Sequence, residues 1–297
     1  MTVNIAITFE ELNRADMISI VSPIPLNMFD PRSPSFSDEE KRRILHDTYK
    51  RRIVADGLET GHLIPTENGY IFKSKQRFPS FAGFVFEAYL VDKFNQCRSS
   101  RLRAYQWATE RSEGWSTKDF EEYKAVGTGL ITTKNEYLTF YEPQSNADII
   151  FLRKNPLRND IMEPALIHNQ HVQAAIQVKC IKSGFREEII NKVLSGKYLR
   201  VITMLSDEHG RSSWVVCHNI LGNMHRSGAI TTADYAYAIG RIQGPEYFNI
   251  DQYDVDNYYS YIHQWYQGYE PITKNIEEAV GLEITGYKFE NNVLVPI

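Results

Sequence analysis

Residues 174–181, AAIQVKCI, constrain the fold more than any other stretch of this chain. They hold no glycine or proline, and their apolar and β-branched residues read as a buried strand. Successive side chains of a strand face opposite ways. Gln177 and Lys179 therefore share one face, and Ile176, Val178 and Cys180 the other. An amide and an ammonium on an otherwise apolar strand cost free energy unless something satisfies them. A buried strand also needs neighbours. ADIIFLR, which opens on Asp148, and LRVITML read as two, with GLITT, EYLTFYE and SSWVVC as further strands.

Helical patterns alternate with these strands. Ser37 and Glu40 form an S-x-x-E capping box ahead of a helix that ends near Gly57. That helix carries the clusters Lys41-Arg42-Arg43 and Lys50-Arg51-Arg52. FAGFVFEAYLVDKFNQC reads as a second helix, with Glu87 set in its apolar face. Ser116 caps an expected helix over TKDFEEYKAVG, and FREEIINKVLSG is another. Residues 155–173 read as a long loop, and helical patterns recur over residues 219–268. TVNIAIT reads as a strand, with hairpins at Asn68-Gly69 and Asn291-Asn292. Residues 22–36 hold Pro23, Pro25, Pro31 and Pro34, an extended segment. The expected class is α/β with a mixed sheet and mainly helical additions at both ends. The divisions fall at 1–78 (strand, basic helix and hairpin), 79–217 (core) and 218–297 (aromatic-rich helical region).

The balance of 42% apolar and 24% charged residues in 297 is that of a folded domain. No apolar run approaches the roughly 20 residues that span a bilayer. The start, MTVNIAITFEEL, lacks the basic region of a signal peptide, so a cytoplasmic protein without membrane contact is expected. Net charge is −4, so any contact with phosphates must come from a local basic surface. Cys97, Cys180 and Cys217 are too scattered for a disulfide framework or a metal knuckle. His168 and His171 lack further ligands for zinc. Asp251, Asp254 and Asp256 lack the central glycine and closing glutamate of a calcium loop. The tyrosines between Tyr253 and Tyr269 read as packing rather than base stacking.

The order helix with Phe86-Glu87, strand with Asp148, strand with Gln177-Val178-Lys179, helix, strand resembles the PD-(D/E)XK nuclease superfamily. It is similar to Q-x-K members such as Mrr-like restriction enzymes. The resemblance covers roughly residues 80–205 and neither end. It implies a restriction-endonuclease-like αβββαβ core and Mg²⁺-dependent hydrolysis of DNA, with Mn²⁺ substituting. It further implies that Asp148, Gln177, the Val178 carbonyl and Glu87 hold the metal, while Lys179 orients the attacking water. Asp160, in the long segment before Gln177, is the alternative acid. Lys182, Arg186, Lys41, Arg42, Lys50 and Arg51 are candidates for phosphate contacts. The implied partner is double-stranded DNA, with a homodimer or a partner defence subunit, in restriction, antiviral defence or mobile-element processing. A non-cleaving DNA-binding or assembly subunit and an RNA-directed or toxin-like nuclease are the alternatives.

Overall fold

The computed structural model describes residues 3–8, 49, 52–65, 69–74, 76–111, 123–155, 157–267, 287–290 and 293–296. The basic residues Lys41, Arg42, Lys50 and Arg51, the Ser37 capping box, the four prolines and Ser116 lie outside these residues. In chain order the elements begin with β1 (Val3–Thr8), a helical stretch over residues 52–59, β2 (Leu63–Pro65) and β3 (Gly69–Ser74). Then come α1 (Phe78–Gln96), α2 (Arg98–Thr109), β4 (Tyr123–Gly127), α3 (Ile131–Glu136), β5 (Ile149–Asn155) and β6 (Arg158–Pro164). β7 (Ala175–Lys179) leads through a π-helical turn, Arg186–Ile190, into α4 (Asn191–Leu194) and β8 (Val201–Thr203). α5 (Ser213–Arg226), α6 (Thr232–Ile239), β9 (Ile242–Gln243), α7 (Gln252–Gln267), β10 (Tyr287–Glu290) and β11 (Val293–Pro296) complete the chain.

Two compact units result, Met1–Val85 with Tyr258–Ile297, and Phe86–Asn257. The first holds an antiparallel sheet ordered β1-β3-β2 and the β10-β11 hairpin. Strands as well as helices therefore build the chain's two ends. The tyrosines of α7 in this unit pack rather than face solvent. Tyr258 stacks on Tyr49 and its hydroxyl donates to Asp56 Oδ2 at 2.6 Å. Tyr266 stacks on Phe81 and leans on Phe78.

The second unit is α/β. Its sheet runs β4-β5-β7-β8-β9, with β6 pairing β5 off that path. β4, β5 and β7 are mutually antiparallel, whereas β8 runs parallel to β7 and β9 parallel to β8. Phe151 on one face meets Phe94 of α1 and Tyr105 of α2. On the other face Val126, Ile150 and Leu152 pack with Tyr137 and Phe140. A second apolar cluster joins Ile189, Ile190 and Val193 to Val201, Cys217, Leu221 and Ile242. The free edge of β4 is closed by a side chain. Asn95 Nδ2 donates to the Ala125 carbonyl (2.8 Å), and the Ala125 N–H donates back to Asn95 Oδ1 (3.0 Å).

Five expected elements differ. YKAVG, expected within a helix, is β4, because it finds the antiparallel partner Ile149–Arg153. GLITT and EYLTFYE, expected as strands, give α3 and a short 3₁₀ turn over Leu138–Phe140. SSWVVC, also expected as a strand, is the first part of α5. Its buried residues Ser213, Cys217, Leu221 and Met224 recur at helical spacing. Residues 158–164, expected within a loop, are β6, held to β5 by Arg153 and Asn155 on Glu163.

Candidate active site

Strand register brings the sequence-predicted residues together. Gly127 pairs with Ile149, and Ile149 pairs with Ile176, so these three form one row across β4, β5 and β7. Asp148 stands one position before that row and Gln177 one beyond it. Ile150 pairs with Ala175, which puts Asp148, Gln177 and Lys179 on the same face. Burial alternates along β7 as expected: Ile176 and Val178 are buried, Gln177 and Lys179 half-buried.

Asp148 Oδ2 accepts hydrogen bonds from Gln177 Nε2 and from the Val178 N–H, the latter at 2.7 Å. Backbone alternation explains the second. The Gln177 N–H reaches Arg200 and the Lys179 carbonyl accepts from Met204, both on the β8 side. The Asp148 N–H donates to the Ile176 carbonyl on the β5 side. The intervening N–H and carbonyl of Val178 thus also point toward β5, at the place where that strand gives way to Asp148. Burial pushes the Asp148 carboxyl up to about 6, although the Val178 N–H, the Lys179 charge and Gln177 all favour its ionised form.

Glu87 is 4% exposed and reaches the same end of the sheet from α1. The Gly129 N–H donates to its Oε1 at 3.3 Å. A Cβ on Gly127 would lie 2.7 Å from that oxygen and 2.5 Å from Leu130 Cγ, so only glycine lets the carboxylate approach. Thr128, between the two glycines, ties this turn to the start of β5. Its hydroxyl donates to the Ala147 carbonyl (2.6 Å) and its N–H to the Asp148 carbonyl (2.8 Å). Gly127 and Thr128 were missed in the sequence. The only signal for them was a G-T-G turn after YKAVG, which a helical reading concealed.

Other candidates lie elsewhere. Asp160 is on β6, which pairs with the far half of β5, Leu152–Asn155, so register separates it from Gln177. Lys182 and Arg186 are exposed just beyond β7. His168 and His171 are exposed in a turn. Asp256 accepts from the Ser206 hydroxyl and N–H, and Asp251 caps α7 through the Tyr253 N–H. An open cleft of about 260 Å³ runs beside the site, past Gln144, Asn146, Ala147, Gln177, Lys197 and Arg200.

Among the described residues no three His, Cys, Asp or Glu side chains gather as a metal-binding group. The donors that do converge are oxygens of mixed kind. They comprise the Asp148 carboxylate, whose Oδ1 has no hydrogen-bond donor among those described, and a Gln177 amide that can turn its Oε1 inward, with the Val178 carbonyl turned to the same side by backbone alternation. Such a set suits a hard divalent cation rather than zinc. Among the described residues no helix is long and apolar enough to cross a membrane. Comparison with protein-family models, with curated proteins and with solved structures finds no match to this chain.

Proposed function

We propose that the chain is a metal-dependent nuclease of PD-(D/E)XK type that hydrolyses phosphodiester bonds of DNA. One observation carries the reading: Asp148, Gln177 and Lys179, from two neighbouring antiparallel strands, meet on one face at one end of the sheet. The element order α1, β4, β5, β7, helical turn, β8, with β8 parallel to β7, supports a restriction-endonuclease-like core. Asp148, the Val178 carbonyl and Gln177 would hold Mg²⁺ or Mn²⁺, with Glu87 adding negative charge from α1. The cation would neutralise the phosphate and acidify a water. Lys179, on the same face as Asp148, would offer its ammonium to the phosphate oxygens and orient the water for attack. Asp148 must be ionised to serve, and its raised pKa leaves part of it protonated near pH 6. Duplex DNA as substrate, a second copy or partner subunit for double-strand cutting, and a setting in restriction, antiviral defence or mobile-element processing extend this reading.

Incubation of supercoiled and linear DNA with Mg²⁺, Mn²⁺ or chelator tests it. The expected result is cutting that requires the metal. A second reading, a non-cleaving DNA-binding or assembly subunit, draws on the neutrality of Gln177, which leaves the centre short of one carboxylate. A calorimetric Mn²⁺ titration separates the two. The nuclease binds Mn²⁺ in a manner lost in Asp148→Ala, and a decayed centre binds none.

A further inference from the structure

Lys179 has company. Its Nζ lies 4.9 Å from the centroid of the Tyr198 ring, and Lys192 and Lys197 place theirs at 5.7 and 5.9 Å from the same ring. Tyr198 is itself buried. Three ammonium groups therefore gather around one aromatic ring. A ring quadrupole attracts each of them weakly, and their mutual repulsion opposes the arrangement. Among the described residues Asp148 feels the charge of Lys179, and Glu188 answers all three. It accepts from Lys192 Nζ, and that bond, with the charges of Lys179 and Lys197, holds its carboxyl below the ordinary range. Two carboxylates against three ammoniums leave a positive excess in a chain whose net charge is −4. Among the described residues no carboxylate forms an ion pair with Lys197, which is exposed. Lys197 also lines the open cleft that runs past Gln177.

An uncompensated, exposed positive group at the wall of an open cleft fits a polyanion better than a small enclosed anion. An ammonium holds phosphate as a point charge and asks for no fixed orientation. Duplex DNA carries one charge per roughly 1.7 Å of its axis, so a duplex with one phosphate at Asp148 has others close by. We propose that Lys197, backed by Lys192 and Lys179 around Tyr198, binds a backbone phosphate of duplex DNA adjacent to the one presented to Asp148. The identity of the ligand as DNA rests on the nuclease reading; the phosphate site rests on the lysine cluster.

The test is binding of the full chain to a short labelled DNA duplex by fluorescence anisotropy, in chelator, across a series of salt concentrations. Lys197→Ala is expected to weaken binding about fivefold and to lower the salt slope by about 1. Lys197→Glu weakens it further, and Lys197→Arg restores it to within about twofold. Wild-type affinity and slope in both Lys197→Ala and Lys197→Glu overturn the proposal, as does a wild type that ignores the duplex at low salt. Lys197-dependent binding of an RNA duplex but not a DNA duplex overturns DNA as the ligand. Chelator removes hydrolysis from the readout, so the two readings fail separately. Metal-dependent cutting with no role for Lys197 in binding sinks only the phosphate site. Lys197-dependent binding without cutting in metal sinks only the nuclease.

Discussion

Asp148 is held in a place that disfavours its charge. Its folded pKa, about 6, lies above the ordinary 3.8, so between those values the folded state binds the extra proton. Stability is therefore lost as pH rises from about 4 through about 6, and the penalty is complete above 6. A displacement of that size corresponds to on the order of 3 kcal/mol. Asp148→Asn, which removes the charge, should raise the melting temperature of the chelated protein at pH 7.5, and the gain should vanish near pH 4 in thermal scans. A variant less stable than wild type at pH 7.5 would contradict the burial argument. The same protonation predicts metal affinity that weakens below pH 6, readable in the Mn²⁺ titration. Cys97 differs from its two buried relatives. Hydrogen bonds from Ser100 and Ser99 lower its thiol to about 7, and it is half-exposed, whereas burial pushes Cys180 and Cys217 up. A thiol reagent at pH 7.5 should modify Cys97 in the folded protein and leave the other two intact. At this scale the sequence was informative about β7, because alternation alone sets Gln177 and Lys179 on one face. It was silent on the bond from the Val178 N–H to Asp148, which depends on where β5 ends.

Elements position the acids, and two of them carry separate tests. The turn after β4 admits Glu87 only because residue 127 lacks a Cβ. Gly127→Ala should cost about 1–3 kcal/mol in urea unfolding, since the added carbon meets Glu87 and Leu130. Gly129→Ala, with Glu87 Oε1 at an ordinary 3.7 Å, should fall well below that. Equal losses would show that Glu87 does not pack against this turn. α2 is fastened to β8 by Arg200, 3% exposed. Its Nε donates to the Trp107 carbonyl and its Nη2 to Glu110 Oε1, which also accepts from Arg241. Glu110→Ala leaves that buried guanidinium without its carboxylate and should cost about 3 kcal/mol, measured by denaturant midpoint. β4 and α5 show why elements were harder to read than residues. YKAVG is short and follows a polar DFEE run, and only its pairing with β5 makes it a strand. SSWVVC looks extended by its β-branched residues, and its helical spacing emerges only when Leu221 and Met224 join the window. Strands 149–155 and 175–179 were legible because each is a self-contained apolar run.

Across the whole chain, acidity and a basic site coexist by segregation. Lys179, Lys182, Arg186, Lys192 and Lys197 follow one another along β7 and the helical turn after it, faced in sequence by Glu187 and Glu188 alone. A net charge of −4 weakens non-specific attachment to DNA, so binding should be local and steeply salt-dependent. The coarse class, α/β with a mixed sheet, followed from alternating helical and strand patterns. The six-stranded order did not, because β6 and β9 are too short or too polar to stand out before their partners are known. The cluster of Asp148, Gln177 and Lys179 is tested most directly by one comparison: cleavage of supercoiled DNA in Mg²⁺ by wild type, Asp148→Asn and Lys179→Ala, with duplex binding measured alongside. The expected result is cutting by wild type alone, with duplex binding retained in Asp148→Asn. Undiminished cutting by Asp148→Asn, or no cutting by wild type in any metal, would contradict it.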